Sequence, residues 1–254
     1  MDKRKNYYCI LDTETTATTP PEENKKKKVI EKLVYDLGYT IATKKEIVLK
    51  RNFLIREIFW NEQLMNNAYF ISKKPMYDKM VENNQIEIIP LATAIKQMQK
   101  DFEKYNVTKF GAYNVSFDLD ALMQTVFFIY RNIFKRLWKK TSKETFIPDT
   151  ELFLKKVILH KEDIEILDLW TLSCQTLCNQ KTFQAFYKQL SEKGNVKSNA
   201  EIVYNYINGT TDFEEEHTAL NDAIIETEIL QRILKIHQKV STKWTSFPFR
   251  MIKK

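Results

Sequence analysis

Apolar residues fall along this chain in two rhythms. In the first sixty positions they form short runs with β-branched members, at Tyr7–Leu11, Leu33–Ala42 and Glu46–Leu54, which predict strands. The first run gives way after Leu11 to acidic and threonine residues, so that strand is expected to end at a polar edge. The polar triplet Thr43-Lys44-Lys45 between the other two predicts a hairpin. Further on the spacing turns helical. Leu91, Ile95, Met98 and Phe102 share one face of a helix over Leu91–Tyr105, and Leu119–Phe134 reads as a strongly apolar helix with an acidic start. Leu220, Ala223, Ile224, Ile229, Leu230 and Ile233 mark a long last helix, about Thr218–His237. Between these lie strand candidates at Lys109–Tyr113 and Ile164–Leu169, and helix candidates at Leu172–Cys178, Phe183–Glu192 and Ala200–Tyr206. Ile58–Gln85 is mixed and suits short helices. Strands first, then helix and strand in alternation, predict an α/β fold with a mixed central sheet flanked by helices.

Composition narrows the chemistry. The chain has 254 residues, 43% hydrophobic and 29% charged, which suits one elaborated globular domain and argues against disorder. We place that domain at residues 1–240, with 241–254 as a carboxyl-terminal tail. Only four glycines occur, Gly38, Gly111, Gly194 and Gly209, so no glycine-rich phosphate loop can be built. ATP-driven and NAD-dependent chemistry lose ground accordingly. A formal charge of +7 favours an acidic partner such as nucleic acid, although lysine-rich drift would give the same number. Cys9, Cys174 and Cys178 lack zinc-site spacing and are expected to be buried apolar residues. The apolar run Val126–Tyr130 is cut by Arg131 and is too short to span a bilayer. The sequence MDKRKNYYCILD carries no export signal, so the cytoplasm is the expected location.

Three acidic motifs then stand out. In ILDTETT, Asp12 and Glu14 are two apart, so a strand projects both from one face. Two crowded carboxylates repel unless a cation sits between them, and hard oxygen donors suit Mg²⁺ or Mn²⁺. Such a pair is common by chance. In GAYNVSFDLDAL, Asn114, Phe117 and Asp118 lie where a strand passes into an apolar helix. Alone, Asp118 reads as a helix-start carboxylate favoured by the dipole, and Asp120 as a surface or dipole residue. In EEEHTALNDAIIETEIL, His217-x-Ala219-x-x-Asp222 is a rare spacing, with the histidine just before the last helix and the aspartate inside it.

In this order the motifs resemble those of the DEDDh 3′→5′ exonucleases, a family that includes the proofreading epsilon subunit of bacterial replicative polymerases, ribonuclease T and oligoribonuclease. The resemblance runs from Ile10 to about Leu234 through ILDTET, NVSFD and HTALND; the histidine five positions before the last aspartate marks the DEDDh branch, and Thr218 stands where the sister branch has tyrosine. It implies a ribonuclease-H-like fold. It also implies two divalent cations held by Asp12, Glu14, Asp118 and Asp222, with His217 as general base. Thr13, Thr15, Asn114 and Phe117 become candidates for gripping the terminal nucleotide. The implied substrate is a nucleic-acid 3′ end, single-stranded DNA ahead of RNA. An exoribonuclease and a catalytically silent binding module are the alternatives. Asp168 in ILDLWTL matches a strand-end aspartate and is expected to be mainly structural. Relative to compact family members the chain has extra sequence near 18–28, 58–85 and 139–163. Two basic features are open: the Lys25–Lys28 run could track phosphates, and the tail with Trp244, Phe247 and Phe249 either packs back on the domain or docks a polymerase or other partner.

Overall fold

Strand β1 (Tyr8–Thr15) is the axis on which the rest is hung. The computed structural model describes residues 6–16, 32–66, 68, 71–131, 150–237, 240–243 and 245–253. Antiparallel to β1 runs β2 (Val34–Ala42), buried at every position, and β3 (Ile47–Ile55) lies antiparallel beyond it. The turn between them closes on Thr43: its N–H donates to the Glu46 carbonyl at 2.8 Å, and its hydroxyl accepts from the Lys45 and Glu46 N–H groups. The short strand β4 (Glu87–Ile89) is parallel to β3; on the other flank β5 (Lys109–Ala112) and β6 (Glu165–Asp168) run parallel. The sheet order is β4-β3-β2-β1-β5-β6.

Helices cover both faces. In chain order they are α1 (Arg56–Phe59), α2 (Glu62–Met65), α3 (Lys74–Glu82), α4 (Leu91–Tyr105) and α5 (Val115–Ile129). Then come α6 (Thr150–Phe153), α7 (Leu169–Gln175), α8 (Lys181–Phe186), α9 (Ala200–Asn208) and α10 (Ala219–Ile236). The alternation along β1 sorts the core. Cys9 and Leu11 join Leu119 and Leu122 of α5 and Met98 and Phe102 of α4. Tyr8 and Ile10 face Ile229, Leu230 and Ile233 of α10 and Leu172 of α7. Asp12 and Glu14 continue the second series, so both project toward α10.

Three expectations need correction. First, β1 runs on past the apolar stretch that closes at Leu11: Asp12 to Glu14 pair in register with Gly38 to Asp36 of β2 and, after a register shift, Thr15 pairs with Val34, because cross-strand pairing outweighs the polar composition. Second, α5 begins at Val115, four residues early, where the Asp168 carboxylate accepts the Val115 N–H at 3.2 Å; Asp118 therefore sits in the first turn. Third, the helix expected over Phe183–Glu192 stops at Phe186, and β4, three residues long before Pro90, left too short a pattern to read.

Of the extra sequence, 58–85 forms α1 to α3 with a 3₁₀ turn at Ile71–Lys73. Lys25–Lys28, Trp244 and residues 139–149 lie outside the described residues. Described tail residues pack back: Phe249 meets the Trp170 ring, Ile252 is buried, and Lys253 N–H donates to Asn179 Oδ1 at 2.7 Å. All three cysteines are buried and free. Among the described residues no helix is long and apolar enough to cross a membrane.

Candidate active site

The carboxyl-terminal half of β1 outruns its parallel neighbour. Pairing with β5 covers only Tyr8–Ile10, whereas pairing with β2 continues to Thr15. Beside Asp12–Thr15 this opens a crevice at the carboxyl end of a central strand, the usual ligand position on an open α/β sheet. The start of α10 closes it from one side. That approach depends on Gly38, opposite Asp12: a Cβ there would stand 2.2 Å from the Leu220 nitrogen and 2.3 Å from the Ala219 carbonyl carbon. With no side chain in between, Asp222 comes down on the acidic end of β1. Asp12, Glu14 and Asp222 then bring carboxylate oxygens within 4.8 Å of one another.

A cavity of about 290 Å³ opens at this point, and every residue taken from the motifs as a metal ligand, base or nucleotide contact lines it: Asp12, Thr13, Glu14, Thr15, Asn114, Phe117, Asp118, His217 and Asp222. Their stations differ. Asp118 belongs to the wall, its Oδ1 accepting from the Thr13 hydroxyl at 2.8 Å, while the tight oxygen cluster is Asp12, Glu14 and Asp222. Asn114 immediately precedes α5 and is exposed; Phe117 is half-buried with the Lys32 ammonium 4.6 Å from its ring centre. Asp168 does not reach the cavity: it caps α7 through the Thr171 N–H at 2.6 Å and holds the start of α5. Asp120 lies outside it too, accepting from Gln124.

The cavity is heavily loaded with acid. Burial, then the facing carboxylates of Glu226, Asp118, Asp222 and Glu14, pushes Asp12 well above the usual carboxylate range. Burial with Asp222 and Asp36 pushes Glu14 up to about 9, with Lys73 opposing; burial with Glu215 pushes Asp222 up to about 8, again against Lys73. Asp118 rises only to about 7, because its burial is offset by the Thr13 hydrogen bond. Asp222 Oδ1 is buried and, among the described residues, has no hydrogen-bond partner. Oxygen donors that crowd, repel and leave an orphaned acceptor fit a hard divalent cation such as Mg²⁺ or Mn²⁺. His217 stands at the rim with left-handed backbone (φ 48°), its Nδ1 3.7 Å from Glu215 and 3.9 Å from Asp222. Burial first, and Lys73 second, lower its pKa against the pull of Glu201, which favours neutral imidazole.

Four contributors were given no place in the site from the sequence. Glu226 and Glu215 line the cavity. Asp36 lies beneath it, fully buried, accepting from Tyr77, Asn52 and the Ala219 N–H, so it ties β3, α3 and the start of α10 to β2. Lys73 is the basic residue whose charge acts on Glu14, Asp222 and His217. Glu226 left a signal: it is one helical turn from Asp222, on the same face. Asp36 left another, as a charge inside an apolar strand.

The sequence matches no family model and no curated protein. Solved structures do match. A full-length 3′-exonuclease overlays with a TM-score of 0.50 at 14% identity, over 91% of this chain and 83% of that one. Exonuclease X in complex with 5′-overhanging duplex DNA gives 0.40 at 13% identity, over 95% of this chain and 96% of that one. Cell-death related nuclease 4 gives 0.39 at 10% identity, over 91% and 64% respectively. At these identities the likeness is one of fold, and the first overlay is the one close enough to carry it. The mixed six-stranded sheet between helical layers is a ribonuclease-H-like α/β fold.

Proposed function

We propose that this chain is a divalent-metal-dependent 3′→5′ exonuclease of the DEDDh type, releasing nucleoside monophosphates from the 3′ end of single-stranded DNA. The observation that carries the reading is the convergence of Asp12, Glu14, Asp118, Asp222 and His217 on one cavity at the carboxyl end of a ribonuclease-H-like sheet. Asp12, Glu14 and Asp222 would hold the cation, with Asp118 on the adjoining wall as a further ligand. Bound there, divalent cations, two in our reading, supply charge that acidifies a water and stabilises the leaving 3′ oxygen. His217 takes the proton from the water that attacks phosphorus, and neutral imidazole is the form able to do so. The bond from phosphorus to the penultimate 3′ oxygen breaks. Phe117 offers a face on which the terminal base stacks, and Thr13, Thr15 and Asn114 line its approach. DNA ahead of RNA rests on the resemblance to DEDDh exonucleases, since the same carboxylates serve either polymer.

The test is a time course on 5′-labelled single-stranded DNA, RNA and mismatched duplex with Mg²⁺ and with Mn²⁺. A descending ladder from the 3′ end is expected, fastest on single-stranded DNA and absent in Asp12→Ala and Asp222→Ala. Undiminished turnover in either variant would sink the assignment.

A further inference from the structure

The loop from α9 into α10 carries His217 and is pinned from outside by a residue that no motif contains. Lys73 closes the 3₁₀ turn before α3, and its ammonium donates to the Glu216 carbonyl and, at 3.2 Å, to that of His217. Two of its three donors are thus directed at the backbone beside the imidazole. The element that carries Lys73 is itself fixed, because Tyr77 of α3 donates to Asp36 at 2.7 Å and the same carboxylate accepts the Ala219 N–H at 3.1 Å. One buried aspartate therefore sets the distance between the lysine and the loop it holds. His217 needs an outside restraint, since a left-handed backbone at a non-glycine residue persists only where its surroundings impose it.

We infer that Lys73 is a positioning residue: it clamps the 216–217 backbone and so aims the His217 imidazole into the acidic cavity. This rests on the reading of His217 as general base. The geometry distinguishes it from a phosphate-gripping lysine, whose donors would point to substrate and not to carbonyl oxygens of its own chain.

The experiment compares Lys73→Met, Lys73→Arg, His217→Ala and the double variant Lys73→Met/His217→Ala in the full chain, on single-stranded DNA with Mn²⁺. Calorimetric titration of Mn²⁺ alone and amide hydrogen exchange at residues 215–218 accompany the kinetics. Lys73→Met is expected to lower kcat by about tenfold or more, the order of loss that misplacing a catalytic group brings. KM should stay within about twofold, the 215–218 amides should exchange faster, and Lys73→Arg, which keeps the charge that acts on Glu14 and Asp222, should recover most of the rate with Mn²⁺ affinity within about twofold. The double variant should be no slower than His217→Ala. A raised KM with kcat intact, or a double variant that loses the product of the single losses, overturns the inference. If His217→Ala keeps full turnover, the general-base reading fails by itself. The clamp is then judged by exchange: faster in Lys73→Met upholds it, unchanged refutes it.

Discussion

His217 is held near two carboxylates without being bonded to either through Nδ1, since 3.7 Å and 3.9 Å exceed hydrogen-bond length. It also belongs to a second possible metal-ligating group, with Glu215 and Asp222. The two roles separate experimentally. As a general base, His217→Ala should cost about 10²- to 10⁴-fold in kcat and leave Mn²⁺ affinity, read by calorimetry, unchanged. A matching loss of metal affinity would make the imidazole a ligand instead. At this scale the sequence was informative where spacing alone fixes geometry: Asp12 and Glu14 by strand alternation, His217 and Asp222 by their place around a helix start. It was silent on Lys73, because nothing local in its 3₁₀ turn says that folding will bring it to residues 216 and 217. Burial and Lys73, which lower the His217 pKa, were not legible either.

Among the elements, the long periodic ones were legible and the ones fixed by tertiary contacts were not. Helix α4 spans the residues its periodicity marks, and α10 differs from expectation by one residue at each end. The true start of α5 depended on Asp168, about fifty residues away, and the true end of β1 on β2. The contact of α10 with β2 is the most demanding junction, because Gly38 admits the helix backbone where any Cβ would collide. Gly38→Ala should therefore cost at least about 1–3 kcal/mol, the usual range for overpacking. It should also weaken Mn²⁺ binding, since relief of the clash moves Asp222 away from Asp12 and Glu14. Denaturant unfolding and titration calorimetry on the same variant check both. Lost stability with intact metal affinity would mean that β2, not α10, gives way.

For the whole molecule, the acid cluster sets how stability responds to pH. Folded-state pKa values for Asp118, Asp222 and Glu14 rise to about 7, 8 and 9, whereas unfolded carboxylates titrate near 4. The folded protein thus binds more protons than the unfolded chain across that window, and stability falls as pH rises through it. Metal-free protein should show a declining Tm from about pH 5 to pH 9. Saturating Mg²⁺ or Mn²⁺ should flatten the decline, because ligand binding to the folded state replaces the protons. A Tm that climbs with pH would mean that the carboxylates are not buried together.

The two sides of the cavity lie far apart in sequence, with Asp12 in β1 and Asp222 in α10. During synthesis β1 and its hairpin partners can fold early, but the oxygen cluster stays incomplete until about 170 further residues, from the end of β3 at Ile55 to Asp222, have emerged. At ordinary elongation rates that takes roughly ten seconds or more. A nascent chain therefore carries one half of an acid site and no means of closing it. Any product interrupted before Ala219 would likewise lack Asp222 and the loop-to-helix junction that Asp36 secures. Emergence of α10 and assembly of the site are, by this topology, the same event.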